Sequence, residues 1–451
     1  MAYQHSAADD AEDTSVGIPR KYAWAVFALT FGLLISDYMS RQVLNAVFPI
    51  LKGEWVLSDG QLGLLSGIVA LMVGLLTIPL SLMADRFGRV KSLTLMAMLW
   101  SLATLGCALA ENYQEMLIAR FMVGVGEAAY GSVGIAVVLS VFPKGMRATL
   151  ASAFMAGAMF GSVLGISLGG AIAVKLGWRW SFACMALFGL LLAALYPLIV
   201  KESRIAPQRL EKAGSKCKVQ LKRALRTLFN TRSVIGAYIA SGLQTFVVGS
   251  MIVWMPSYFN RYYGMGEGKA GVMAGVMVLC CGVGAVLCGM LSDRLCRKSP
   301  LRKVEISIVF CLGSCLLLSL ALIQPVGTVQ LVLLGMAMLM TTGINGTTVA
   351  TIASLTHYRV HGTAFATLTL VNNMIGLAPG PFLTGKVSDV IGLHGAFQLV
   401  PLMSIASAAV FFYIRRHYLN DIARAQAEAV DDVPSDAADQ TSTKAVMGVS
   451  S

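Results

Sequence analysis

The sequence has 451 residues, of which 56% are hydrophobic and 13% charged, and its formal net charge is +12 at pH 7. Because ordinary soluble domains carry about 25% charged residues, this composition excludes a soluble protein and indicates one that crosses a membrane many times. Basic loops beside anionic lipid account for the positive charge, so it predicts no nucleic-acid partner.

The N-terminal tail, residues 1–20, is polar and acidic and lacks the basic region and cleavage site of a signal peptide, so we expect the chain to begin in the cytosol. After it, twelve apolar segments reach the length of about 20 residues that a helix needs to cross a bilayer. The sequence therefore predicts an all-α polytopic membrane protein. We place the spans at 24–49, 58–83, 92–110, 113–141, 148–174, 181–200, 234–258, 270–291, 306–323, 329–355, 363–390 and 396–413.

Basic residues are concentrated in alternate loops, which sets the expected orientation. The loops that we place inside are rich in arginine and lysine, such as Arg86, Arg147 and Arg302, whereas the outer loops hold few beyond Lys52 and Arg261. The positive-inside rule then places both termini in the cytoplasm. The polar N-terminus and the lack of processing signals favour a bacterial inner membrane, and a eukaryotic membrane is left open.

The first span carries charged and polar side chains in its middle. Asp37 and Arg41 are four residues apart, so they share a helix face on which they can pair, and Asn45 continues that face one turn further. Tyr38 lies next to the acid. Such a pair either lowers the cost of placing charges in the membrane or contributes to a binding site.

A short motif, Asp-Arg-x-x-Arg, occurs twice in basic loops, once after the second span and once after the eighth. Two unrelated basic loops would explain the arginines but not an aspartate at the same position in both. The chain is therefore predicted to consist of two six-span repeats, residues 21–200 and 233–417. A basic linker at 201–232 joins them, and a disordered tail follows at 418–451. The motif residues are Asp85, Arg86 and Arg89 in the first copy and Asp293, Arg294 and Arg297 in the second.

The fourth span contains an arginine and a glutamate where hydrocarbon would be expected. Arg120, Gly124, Glu127 and Gly131 recur at spacings of four, three and four residues, so they lie on one helix face. A charge in mid-membrane costs about 2.5 to 3.5 kcal/mol on insertion scales, so a functional role is the first interpretation. A structural ion pair that locks two helices together is the alternative.

The fifth span has a row of glycines. Gly157, Gly161, Gly165 and Gly169 follow one another at four-residue steps, so they lie on one helix face. A face without side chains predicts close contact with another helix.

The second half has few charges inside the membrane but several neutral polar residues. Gln244, Asn345 and Asn373 are suited to lining a cavity, and hydrogen bonding to their own helix is the alternative for each. His357 and His361 are four residues apart but have no third ligand nearby, so we expect no metal site and no cofactor.

The doubled motif resembles the loop signature of the major facilitator superfamily, in which one glycine precedes the Asp-Arg pair and another follows it. Here Ser81 replaces the leading glycine of the first copy, and Cys296 replaces the inner glycine of the second. The resemblance covers nearly the whole chain and implies the major facilitator fold, with motif loops that latch the cytoplasmic side when the transporter faces outward. Asp85, Arg89 and Asp293 match the positions with that role, and we assign all six motif residues to this gate.

Two spans resemble the spinster branch of the superfamily. They are span 4, with Val-Gly-Val-Gly-Glu-Ala-Ala-Tyr ending at Tyr130, and span 7 with the residues that follow it, from Phe246 to Gly264. Span 11, with Asn372, Asn373 and Pro379, fits the bacterial members of that branch. Spinster-like proteins carry Asp-Arg in span 1, whereas here Ser40 precedes Arg41 and the acid lies one turn earlier. The spacing of the arginine and the glutamate in span 4 is also similar to that in organic-anion:proton symporters.

These features predict a secondary active transporter that moves a small organic anion with protons by alternating access. The resemblance implies that the acids and arginines of spans 1 and 4 face one cavity, where a proton on a carboxylate would free an arginine for an anion. We expect Glu127, and after it Asp37, to carry the proton. Arg41 and Arg120 are the expected anion contacts. Burial favours a neutral carboxyl group and a nearby arginine favours a charged one, and the sequence leaves this balance open.

Further substrate contacts are expected from polar side chains of both halves, namely Tyr38, Asn45, Tyr130, Gln244, Asn345 and Asn373. The spinster resemblance supports another cargo, a lysophospholipid or similar amphiphile, and a membrane receptor or sensor that does not transport is a third interpretation. No nucleophile-base set, metal triad or phosphate loop in the sequence indicates an enzyme. We expect the protein to act as a monomer in the lipid bilayer.

Overall fold

The computed structural model describes residues 19–143, 146–205, 231–296, 301–356 and 361–431. Within these ranges the chain forms twelve long helices and a short helix at Glu202–Ile205. Ten of the twelve are long and apolar enough to cross a membrane alone, and the last two meet this test together across a bend of 41°. In chain order, α1 to α12 are Arg20–Trp55, Asp59–Phe87, Arg89–Leu109, Tyr113–Val141, Arg147–Leu176, Trp178–Ile199, Arg232–Tyr263, Glu267–Cys296, Arg302–Ile323, Thr328–Leu355, His361–Leu399 and Leu402–Asp431.

The fourth helix of each half is interrupted at a similar point along its length. The two segments of α4 are Tyr113–Glu127 and Tyr130–Val141, and those of α10 are Thr328–Thr341 and Ile344–Leu355. A shared interruption at matching places is what two copies of one six-helix unit would show. The twelve helices therefore confirm the predicted all-α fold with two halves, α1–α6 and α7–α12.

The last helix is longer than the sequence predicts. Instead of becoming disordered after Tyr418, the chain continues as α12 to Asp431. Tyr418 is buried, with its hydroxyl group 2.9 Å from that of Ser354 in α10, and the Asp421 carboxylate accepts hydrogen bonds from the backbone and side chain of Ser233. These contacts hold the helix as far as Asp421, and the helix continues to Asp431 where the sequence predicted disorder. Most of the predicted linker and the tail beyond 431 lie outside the described residues.

The two halves are hydrogen-bonded to each other at one end of the bundle. We call this end, which carries Trp55 and Tyr263, the gate end. The opposite end, which carries Arg20 and Phe87, is the terminal end. Every hydrogen bond between the halves within the described ranges is made by Asp59 or Gly60 at the gate end.

Glycines allow the halves to approach closely toward the gate end. A Cβ atom at Gly271 of α8 would lie 2.8 Å from the carbonyl oxygen of Ile166 in α5, and one at Gly170 would lie 2.7 Å from that of Glu267. At Gly289, nearer the terminal end of α8, a Cβ atom would meet no described atom within 4 Å. Within the described residues, the halves therefore meet closely toward the gate end and leave space beside Gly289 toward the terminal end.

The glycine row of α5 packs against α1, as its spacing predicts. A Cβ atom at Gly161 would lie 2.6 Å from the carbonyl oxygen of Ile35, and one at Gly165 would lie 2.8 Å from that of Met39. Only a residue without a side chain allows the two backbones to come this close. The contact holds the middle of α1, where the predicted charged residues lie.

We expect Gly165→Ala to lower the unfolding temperature measured in detergent, because the added Cβ atom would overlap the backbone of α1. Overpacking of this kind costs about 1 to 3 kcal/mol. Gly131→Ala is the matched control, since a Cβ atom at that helical position would meet nothing within 4 Å among the described residues. Equal unfolding temperatures for the two variants would contradict the prediction.

Candidate functional site

An ion pair joins the first and fourth helices near the middle of the first half. Arg41 Nη2 lies 2.8 Å from Glu127 Oε2, and Arg41 Nε donates to the same oxygen at 2.9 Å. The guanidinium carbon also lies 5.2 Å from the ring centre of Tyr38, a cation–π contact. The Glu127 side chain has no exposed surface, whereas 17% of the Arg41 side chain is exposed. Arg41 is therefore the charged member of the pair that a solute can reach.

Asp37 lies beside this pair rather than in it. Its carboxyl group is buried, and its Oδ1 atom, like Oε1 of Glu127, has no hydrogen-bond partner within the described residues. The predicted Asp37–Arg41 pair is not formed, because Arg41 reaches across to α4, where Glu127 would otherwise be a buried charge without a partner. A carboxyl group that carries a proton can donate a hydrogen bond, so these two acids remain the candidates for holding a proton.

Arg120 forms no ion pair with an acid in the described residues, and its role as an anion contact stays a prediction. The residue is fully buried. Its Nε, Nη1 and Nη2 atoms donate to the backbone carbonyl oxygens of Leu65, Ser40 and Arg41 at 3.3, 3.0 and 3.1 Å. These three bonds tie α4 to α1 and α2, and they engage three of the five N–H donors of the guanidinium group.

Two other predicted substrate contacts are engaged in packing within the first half. Asn45 is buried, where its Nδ2 donates to Gln42 at 2.6 Å and its Oδ1 accepts from Ser66 of α2 at 2.8 Å. The buried Tyr130 hydroxyl group donates to the carbonyl oxygen of Thr30 at 2.6 Å. Protein groups already satisfy both side chains in this conformation, and their role as substrate contacts stays a prediction.

The predicted contacts of the second half differ in exposure. Gln244 is buried and donates to Ser314 at 3.1 Å, while its Oε1 atom has no partner within the described chain. Asn373, in a π-helical segment of α11, is also buried and donates to the carbonyl oxygen of Thr369 in its own helix at 2.9 Å. Asn345, by contrast, is exposed just after the break in α10. It is the member of this set that is open to a solute.

The repeated Asp-Arg motif lies at the terminal end of α2 and α8. Asp85 and Arg89 form a pair at 3.2 Å within the first half. The described motif residues make no hydrogen bond to the opposite half, so their latch role stays a prediction. Those with exposed or half-buried side chains are Asp85, Arg86, Arg89, Asp293 and Arg294, and Arg297 lies outside the described residues.

An ion cluster that the sequence did not reveal closes the gate end. At its centre is Asp59, the first residue of α2, which is 1% exposed. Arg261 of α7 donates to both carboxylate oxygens of Asp59 at 2.7 Å, and Lys52 Nζ lies 2.5 Å from one of them. The Ser388 hydroxyl group of α11 donates to the other oxygen at 2.5 Å. One carboxylate of the first half thus binds two helices of the second.

Asp389 of α11 extends the cluster through the backbone of α2. Its carboxylate accepts hydrogen bonds from the N–H groups of Asp59 and Gly60 at 2.6 and 2.9 Å, where the helix dipole is positive. Sequence reasoning missed the cluster because Asp59 follows the capping residue Ser58, so its position indicates only the start of a helix. Its partners Arg261 and Asp389 are 202 and 330 residues away, beyond any local spacing.

Comparison with known proteins decides the family. Residues 30–381, most of the chain, match the family described as Major Facilitator Superfamily. The chain belongs to this superfamily. Superfamily members are membrane transporters, which confirms the interpretation as a multi-pass membrane transporter rather than an enzyme.

Individual superfamily members are similar along most of the chain. The "Hexuronate transporter" of Bacillus subtilis (strain 168) is 26% identical over 394 residues, which cover 84% of this chain and 92% of that protein. The "Sphingosine-1-phosphate transporter SPNS2" of Danio rerio is 24% identical over 428 residues, which cover 87% and 84%. The inward-facing, unoccupied crystal structure of a bacterial homolog of the human lysosomal transporter spinster has a TM-score of 0.79 at 19% identity and covers 90% of this chain and 99% of that one. These similarities confirm the resemblance to spinster-type and organic-anion transporters.

We expect Arg261→Gln to open the gate end of this superfamily member. The substitution removes both hydrogen bonds from Arg261 to Asp59, and the closed conformation bears that cost. The cost is smaller than the about 3 to 5 kcal/mol of a buried charge left alone, because Lys52 still pairs with Asp59. Spin labels at Val56 and Val326, exposed loop residues in different halves, would report a longer distance at the gate end. The labels require a background without reactive native cysteines.

Arg179→Gln is the matched control for this experiment. Arg179 pairs with Glu54 at 3.2 Å, at the same end of the bundle, but both residues belong to the first half. The distance between the two spin labels should therefore equal that in the labelled protein without this substitution. An unchanged distance in Arg261→Gln would show that the Asp59 cluster does not hold the halves together.

Proposed function

We propose that this protein is a secondary active transporter that moves a small organic anion together with protons by alternating access. The observation that carries the proposal is the half-buried Arg41 bound to the buried Glu127, with the Asp37 carboxyl group beside them. One cluster thus contains a cation that a solute can reach and two acids that can hold a proton.

Protonation of Glu127 would release Arg41 to bind an anion. While it is charged, the Glu127 carboxylate occupies both Nε and Nη2 of Arg41. A proton removes that negative charge, and the guanidinium group can instead form two parallel hydrogen bonds to a solute carboxylate or phosphate. The proton and the anion then increase each other's affinity, which is the linkage that symport requires.

Arg120 would support this exchange without binding the solute. Its three nitrogen atoms donate to backbone carbonyl oxygens, so its positive charge stays fixed behind the cluster. A fixed positive charge favours an anion in the neighbouring space, whichever group Arg41 binds. Of the two arginines, Arg41 is therefore the one that can exchange partners.

The open terminal end would give the solute its route to Arg41. We assign this end to the cytoplasm of a bacterial inner membrane, where the basic motif loops would lie. For the opposite state, the Asp59–Arg261 bonds would break and the Asp-Arg motifs would latch the terminal end. Asn345, exposed at the break in α10, is the contact that we propose for the solute in the second half.

Sugar acids are the first substrates to test. Similarity to a protein named as a hexuronate transporter supports a small carboxylate. Similarity to one named as a sphingosine-1-phosphate transporter supports a second candidate, an anionic amphiphile such as a lysophospholipid. The unfolding temperature would be measured with glucuronate, galacturonate or lysophosphatidate at acidic and neutral pH. A bound ligand stabilises the folded state, so the compound that raises the unfolding temperature identifies the substrate class.

We expect Glu127→Gln to abolish accumulation of the solute under an imposed proton gradient in proteoliposomes. Glutamine keeps the size of the protonated acid and leaves Arg41 free, so exchange of labelled for unlabelled solute should persist and should no longer depend on pH. Glu115→Gln, an exposed glutamate of the same helix, should behave as the wild type. Loss of exchange together with accumulation in Glu127→Gln would assign the glutamate a structural role.

Substitutions of Arg41 and Arg120 should have different effects on anion affinity and on stability. Arg41→Gln should reduce the affinity for the anion by more than about tenfold, because a charge-assisted pair of hydrogen bonds is lost. It also leaves Glu127 unpaired, and the resulting fall in unfolding temperature without ligand should be recovered in the double variant Arg41→Gln, Glu127→Gln. Arg120→Gln should lower that unfolding temperature, because three helix contacts are lost. A folded Arg120→Gln protein without stabilisation by the anion would contradict this division.

A further inference from the structure

A groove on the surface of the second half runs between α7 and α12 near the terminal end. It has a volume of about 450 Å³, and its lining is apolar apart from one arginine at its end. The groove belongs to the second half, whereas the Arg41 cluster belongs to the first, so the two sites are separate. The residues that define it are Arg232, Ile235, Gly236, Ile239, Ala409 and Tyr413.

Small residues account for the shape of the groove. Gly236 lets α7 approach α12, since a Cβ atom there would lie 2.8 Å from Cγ1 of Ile414. Ala409 has only a methyl group, so it leaves open the space between Ile239 and Tyr413, which are 38% and 45% exposed. Water would find almost no hydrogen-bond partners in such a groove, so in a membrane it is filled by hydrocarbon.

Positive charge lies at the terminal end of the groove. Arg232 is the first residue of α7. Arg416 follows Tyr413 by three residues, so it lies on the same face of α12 and nearer the terminal end. Neither arginine forms an ion pair within the part of the chain that the structure describes, whereas the adjacent Arg415 binds Glu305 of α9 at 3.0 Å.

We propose that this groove binds an anionic glycerophospholipid of the membrane leaflet at the terminal end. One acyl chain lies along Ile235, Ile239 and Ala409, and the phosphate group is bound by Arg232 and Arg416. The exposed Tyr413 ring lies between these two regions, where an aromatic side chain with a polar tip is favoured. Basic pockets between transmembrane helices bind lipid head groups of this charge.

The test is lipid retention by the full-length protein in native mass spectrometry. Purified protein is mixed with phosphatidylglycerol or phosphatidylcholine of the same acyl chains, and the lipid-bound fraction is measured. Wild type should retain phosphatidylglycerol in preference to phosphatidylcholine. The double variant Arg232→Gln, Arg416→Gln should lose about tenfold in affinity for phosphatidylglycerol, since each arginine near a membrane surface contributes to anionic-lipid binding. Arg415→Gln, the adjacent arginine that is paired within the protein, should retain the lipid.

A second variant tests the apolar part of the site without changing charge. Ala409→Trp should fill the groove and reduce phosphatidylglycerol retention, whereas Leu316→Trp, at a residue of α9 that is 60% exposed, should not. Glycerol phosphate, the head group without acyl chains, should not compete. Equal retention of both lipids, full retention by a folded double arginine variant, full retention by Ala409→Trp, or competition by glycerol phosphate alone would each overturn the proposal.

Discussion

Charge buried among apolar helices is the constraint on which this structure depends. A charged group in the membrane interior needs a counter-charge or several hydrogen bonds, because lipid supplies neither. Arg41 meets this need with Glu127, Arg120 meets it with three backbone carbonyl oxygens, and Asp59 meets it with Arg261 and further donors around it. Each of these sets of bonds also joins helices. The few charged groups that are costly to bury therefore hold α1, α2, α4 and α7 together.

Contacts within a half differ in kind from contacts between the halves. Within the first half, Arg120 and the glycine row of α5 fix α1 from two sides, and neither contact can be released without a large cost. Between the halves, glycines on α5 and α8 admit the backbone and side chains of the opposite helix, such as Met159 beside Gly282, and the directional bonds converge on Asp59. Such an arrangement suits two rigid bodies that separate at one end, because few specific bonds must break.

Features that repeat at short intervals could be predicted from the sequence. The apolar spans, the doubled Asp-Arg motif and the α5 glycines each depend on local spacing, and the structure places them as expected. The partners of Arg120 could not be predicted because they are backbone carbonyl oxygens, which every residue type supplies and no side-chain pattern reveals. Glu127 was recognised as a buried acid, but its pairing with Arg41 depends on how α1 and α4 lie side by side. The Asp59 cluster depends on contact between the two halves, which local spacing does not show.

The position of Glu127 within α4 connects the proposed chemistry to the shape of the helix. Glu127 is the last residue of the first segment of α4, and the break follows it directly. At the break, the Ala128 carbonyl oxygen accepts a hydrogen bond from Thr77 of α2 at 2.7 Å, so the joint is held from the side. The corresponding break in α10 lies beside Asn345. A change of partner at Arg41 would therefore act on Glu127 beside the point where α4 is already bent, and a solute bound between Arg41 and Asn345 would connect α1 to the break in α10.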